Sequence, residues 1–255
     1  MDFNRTVHNS LRCQILTTGS SETIQETRCE RSIQYGSIQI WFARYIDLDP
    51  YYHALSQLLT RSERETADTF RQTSDARCTE LRYGLLRIIL EEFTGFEPGE
   101  LVIIKSENGK PSLALPRGYP VVSFSTSNTK EMVAIGITKN NNIGIDIVKM
   151  DRRYPFQDTA EYLFTDEEKA LIAGTEPNQR YRQFFRIWAL KEALLKATGG
   201  TVQMMSDMDV SGVIKNSFVH DFCSITYQDT QCQFFIHECG CDHGHHCAIA
   251  VNLGK

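Results

Sequence analysis

The sequence predicts an α+β fold of two similar halves, each a long helix packed on a small antiparallel sheet, and three observations carry that prediction. Apolar residues recur at helical spacing in two long segments, one in each half of the chain. Short alternating or continuous apolar stretches accompany each segment, separated by turn residues. The 255 residues, 41% of them hydrophobic, suffice for one large domain or for two of about 110 residues.

The elements follow in order. Residues 1–35 are rich in Ser, Thr, Gln and Arg with neither period, and read as a mobile N-terminal extension outside the fold. Ile38, Ile40 and Phe42 then alternate as a half-buried strand, and a polar helical stretch starts near Arg61. The first long helix runs from about Asp75 to Phe93, with Leu81, Leu85, Ile88 and Ile89 on one face and Gly95 as its stop. LVIIKSENGKPSLAL reads as strand, turn and strand, reversed at Asn108-Gly109. VVSFSTS, MVAIGITK and IGIDIV are further strands. The second long helix, Tyr181 to Ala197, is closed by Gly199-Gly200, and strands follow at 223–227, 232–237 and CAIAVNL. The boundary falls near Asn140 to Asn142, dividing an N-terminal half (36–141) from a C-terminal half (142–255).

Composition narrows the function. A charged fraction of 23% with a net charge of −5 supplies no broad basic surface, which argues against nucleic acid as a partner. Eight cysteines in a chain that opens without a basic then apolar leader imply reduced thiols and a cytoplasmic protein. No apolar run approaches the ~20 residues of a membrane span.

Two segments carry the chemistry. In WALKEALLKATGG, Ile187, Leu190, Ala193, Leu194 and Ala197 share one helix face, while Trp188, Lys191, Glu192, Leu195 and Lys196 share the other. A solvated face with a Glu192–Lys196 pair explains this as well as a site does. In GIDIV, Asp146 interrupts an apolar strand, either as an outward-facing residue or as half of a carboxylate pair able to hold magnesium, which takes hard oxygen ligands.

The ordered pair GIDIV and WALKEALLK resembles the signature of the 4'-phosphopantetheinyl transferase superfamily, and the length resembles its pseudodimeric, surfactin-type branch. NGKP, FSTSNT and FTDEE fall in the matching order, and the resemblance covers roughly Ser37 to Leu253. It implies a magnesium-dependent enzyme, a monomer of the holo-acyl-carrier-protein synthase type, that moves phosphopantetheine from coenzyme A to a serine of an apo carrier protein. It further implies that Asp146 and Glu192 hold the metal, that Glu168 (or Glu167) is a base and that Lys196 assists the leaving nucleotide. Lys191 would support the same anionic region, and Lys110, Ser127, Asn128 and Thr79 would contact coenzyme A. The chain departs from the family at Asn128, where a histidine is usual, and at Val148, where an acidic residue is common. Two alternatives stand beside this reading. One is a coenzyme A-binding homologue with little turnover. The other is a zinc-binding interaction module built on HECGCDHGHHC, although Asp242 to Gly244 reads more simply as a hairpin turn.

Overall fold

The computed structural model describes residues 20–24, 38–106, 109–215, 220–227, 230–241 and 244–254. It is an α+β structure with two four-stranded antiparallel sheets. In the first sheet, β1 (Ser20–Ile24) and β2 (Ile38–Arg44) are followed by β6 (Met132–Lys139) and β5 (Val122–Asn128), in the order β1-β2-β6-β5. The second has the order β7-β10-β9-β8, from β7 (Asn142–Lys149), β8 (His220–Tyr227), β9 (Thr230–Cys241) and β10 (His245–Gly254). The remaining strands, β3 (Val102–Lys105) and β4 (Pro111–Ala114), form a separate hairpin. Each sheet places the opening strand of its half, β2 or β7, beside the closing strand, with the penultimate strand next. The similarity of the halves is therefore one of topology.

Between β2 and β3 lie α1 (Tyr45–Leu48), α2 (Tyr52–Gln57), α3 (Arg61–Asp68) and the long α4 (Thr73–Thr94). Leu81, Leu85, Ile88 and Ile89 of α4 share one core with Phe124, Val133, Ile135 and Ile137 of the first sheet. The helix stops at Gly95, whose φ of 80° is left-handed and costs a glycine nothing. After β7 come α5 (Phe156–Leu163), α6 (Asp166–Ala173), the long α7 (Arg180–Thr198) and α8 (Ser211–Lys215). Helix α7 packs on β7 and β10. The sheets face each other across a separate core, in which Ile38, Ile40, Met132 and Ala134 meet Ile143, Ile145, Ile147, Cys247, Ile249 and Val251. Helix, sheet, sheet and helix thus stack in four layers.

Three expectations need correction or delimitation. The extension expected to lie outside the fold contains β1, which pairs antiparallel with β2 from Ser20↔Phe42 to Ile24↔Ile38. A ladder is made by the backbone, so an edge strand needs no apolar period to join it; the rest of 1–35 lies outside the described residues. The second helix face is not solvated, because Lys191 and Leu195 are buried. Asn108, Asp242 and His243 lie outside the described residues, as do the side chains of Cys239 and Cys241. Among the described residues, no group of three or more His, Cys, Asp or Glu side chains is placed to hold a metal ion, and no helix is long and apolar enough to cross a membrane.

Candidate functional site

Alternation along β7 decides where its carboxylate goes. Ile143, Ile145 and Ile147 enter the core between the sheets, so Gly144, Asp146 and Val148 face α7. Gly144 sets the distance. A Cβ there would stand 1.9 Å from the Ala193 carbonyl oxygen and 2.5 Å from the Ala197 nitrogen, so the helix backbone rests directly on the strand. That close approach brings Glu192 and Lys196 of α7 over Asp146. Sequence reading took the glycine only as part of a motif, because its packing partner is fifty residues away.

Asp146 is 6% exposed. Its Oδ1 accepts from Lys196 Nζ at 2.7 Å and from Ser127 Oγ at 2.8 Å. Lys196 also donates to the Ile145 carbonyl at 3.0 Å. Asp146 Oδ2 is buried and has no hydrogen-bond partner among the described residues. Burial and the charge of Asp146 push Glu192 above the usual carboxylate range, with Lys196 acting the other way. The site therefore holds two hard-oxygen carboxylates that repel each other and one buried oxygen without a donor. Both features fit a divalent cation.

Beside these groups lies a cavity of about 390 Å³ between the two halves. The N-terminal half contributes Lys110, Phe124, Ser125 and Thr126, and the C-terminal half contributes Glu192, Leu195, Lys196 and Val202. Gly109, Pro111, Gly199 and Gly200 complete the lining, and the three glycines, which have no side chain, leave the backbone open to a ligand. Lys110 reaches across the division to donate to the Ala197 carbonyl at 3.0 Å. Burial lowers its ammonium to about 8. Val202 carried no sequence signal and Ser125 and Thr126 stood only within FSTSNT, since each becomes part of the lining only when the halves meet.

The structure thus gathers Asp146, Glu192, Lys196 and Lys110, with Ser127 behind the carboxylate. It sets the other candidates apart. Glu168 is fully buried and accepts from Lys191, from the Thr165 amide at 2.9 Å and from the Val210 amide at 2.9 Å. Both of its oxygens are therefore engaged, inside a capping box that starts α6. Lys191 is fully buried against Glu168 and over the Phe164 ring. One residue on an α-helix turns the side chain by about 100°, which separates Lys191 from Glu192. Asn128 is exposed and its side-chain amide donates to the Thr129 carbonyl at 3.4 Å, and Thr79 is buried on α4; neither lines the cavity. Glu167, the alternative to Glu168, is exposed on α6.

Residues 142–250 match the family model of the 4'-phosphopantetheinyl transferase superfamily. The chain is 27% identical over 157 residues to the 4'-phosphopantetheinyl transferase HetI of a Nostoc species, covering 62% of this chain and 66% of that one. It is 31% identical over 147 residues to the 4'-phosphopantetheinyl transferase psf-1 of Bacillus pumilus, covering 57% and 60%. It is 27% identical over 177 residues to a phosphopantetheinyl transferase of a Thraustochytrium species, covering 64% and 61%. The matches span 60 to 66% of the length of these three relatives.

Proposed function

We propose that the chain is a member of the 4'-phosphopantetheinyl transferase superfamily, whose family model matches residues 142–250, and that it transfers the 4'-phosphopantetheine group of coenzyme A to a serine of an apo carrier protein, releasing 3',5'-adenosine diphosphate. The observation that carries the reading is the meeting of Glu192, Lys196 and Lys110 at one cavity, with Asp146 paired to Lys196 behind the lining; Asp146, Glu192 and Lys196 lie within the matched segment. Asp146 and Glu192 would hold magnesium, whose charge neutralises phosphate oxygens and the negative charge that grows on them as the nucleotide departs.

The chain's own groups do the rest. Lys196 is held at the cavity by Asp146 and the Ile145 carbonyl, a fixed cation where an anionic leaving group accumulates charge. Lys110 offers a second cation from the opposite half. The base role implied for Glu168 has no support in its surroundings, since both its oxygens are taken; Glu192 is the glutamate that reaches the cavity. In this reading Glu168 and Lys191 brace the helix that carries the site. A pairing of similar halves within one chain supports a monomer.

Incubation with coenzyme A, magnesium and a panel of apo carriers, followed by intact mass measurement, tests the proposal. One phosphopantetheine should be added per carrier, and neither Asp146→Ala nor Glu192→Ala should support the addition while both stay folded by circular dichroism. Coenzyme A binding without transfer to any carrier would instead favour the homologue with little turnover.

A further inference from the structure

Strand β5 carries a serine at every second position, Ser123, Ser125 and Ser127, all buried. Alternation puts the three hydroxyls on one side of the strand. Ser123 Oγ accepts from the Ile143 amide at 3.4 Å, and Ser125 Oγ accepts from the Ile145 amide at 3.1 Å. Both β5 and β7 are edge strands of their sheets, so these hydroxyls satisfy amides of β7 that a neighbouring strand would otherwise pair. The third serine behaves differently. Ser127 Oγ donates to Asp146 Oδ1 at 2.8 Å, the oxygen to which Lys196 also donates.

We propose that Ser127 is a positioning residue for Asp146, holding Oδ1 together with Lys196 so that Oδ2 is left to a divalent cation. The identity of that cation rests on the transferase reading. An aspartate carboxylate turns about a broad, two-fold torsion. Two donors on one oxygen, one from each half, fix the carboxylate plane where one donor leaves it free to turn. The N-terminal half, outside the segment matched to the family, thereby sets the geometry of a ligand inside that segment. Ser127 acts through Asp146 and not on the nucleotide end of coenzyme A, as the resemblance alone would have it.

The test uses the full chain and Mn²⁺ as a magnesium substitute, its binding followed by electron paramagnetic resonance with coenzyme A present. Ser127→Ala should weaken Mn²⁺ binding about 10–100-fold, the range seen when a group orienting a metal ligand is removed. Ser127→Cys, close in volume but a weak donor, should weaken it similarly while keeping the packing. Ser123→Ala should lower the melting temperature and leave Mn²⁺ affinity unchanged. The melting-temperature loss from Ser127→Ala should also vanish in an Asp146→Ala background, because the partner is gone. Unchanged Mn²⁺ affinity in both Ser127 variants overturns the inference. So does a raised KM for coenzyme A with unaltered Mn²⁺ affinity, which would make Ser127 a nucleotide contact. Absence of Mn²⁺ binding by the unsubstituted protein overturns it too, whereas failure of the transferase reading shows separately, as no mass gain on any carrier.

Discussion

Two lysines that the resemblance assigns to the anionic co-substrate occupy different environments. Lys191 is sealed with Glu168, and burial pulls its ammonium down while Glu168 holds it up. Lys191→Met leaves the Glu168 charge without its partner and is expected to cost about 3–5 kcal/mol, whereas adding Glu168→Gln restores much of that loss. Urea denaturation of the single and double variants measures it; a Lys191→Met protein that melts normally but lacks turnover would return Lys191 to the cavity. Lys110 is different, because its ammonium titrates at about 8 in place of 10.5. Between those values the unfolded chain binds the proton more tightly than the folded one, so the lysine's contribution to stability rises with pH across that window. Anion binding changes in the opposite direction. The KM for coenzyme A should climb between pH 7 and 9, and Lys110→Arg, which stays charged, should flatten that climb. An equal climb in both proteins would detach Lys110 from the phosphate.

Helix α7 owes its position to a contact rather than to its own amphipathicity. Burial extends beyond the face of Ile187, Leu190, Ala193, Leu194 and Ala197 to Phe184, Lys191 and Leu195 on the other side, and so covers much of its circumference. Gly144 beneath it admits the backbone, so Gly144→Ala must push helix from strand or fail to pack. We expect a loss of about 3 kcal/mol or more, at the upper end for overpacking because the clash is with backbone atoms. Chemical denaturation measures the loss, and a Gly144→Ala protein of normal stability would show that the strand gives way instead. Transfer activity should fall beyond what partial unfolding explains, since the same shift separates Glu192 from Asp146.

The two sheets complete each other at the scale of the whole molecule. Ile143, Ile145, Ile147, Ile249 and Val251 are buried against the first sheet, so a fragment of residues 142–255 would expose them together. Such a fragment should self-associate or precipitate, as contiguous apolar faces do; a soluble, folded monomer on a sizing column would count against the four-layer packing. The opposite edge of the first sheet is covered by β1. Deleting residues 1–24 uncovers the ladder groups of β2 and should lower the melting temperature and promote association, since a bare edge strand is a template for pairing. A truncated protein that melts and migrates like the full chain would show that β1 contributes nothing.

Residue periodicity, read along the chain, was enough to determine the α+β class, both long helices, their glycine stops and most strands, because each of these depends on neighbours within one turn or one strand. Asp146, Glu192, Lys196 and Lys110 were likewise legible, through spacing that resembles a known family. Only the tertiary structure separated Lys191 from Glu192, sealed Glu168, set Ser127 against the Asp146 carboxylate and left Asn128 and Thr79 outside the cavity lining. It also showed β1, a polar strand whose pairing is carried by backbone groups that every sequence shares. The reason is common to all of these. A motif names residue types, but which oxygen of a carboxylate has a donor, and which side of a buried helix meets a cavity, depends on atoms contributed by segments distant in the chain.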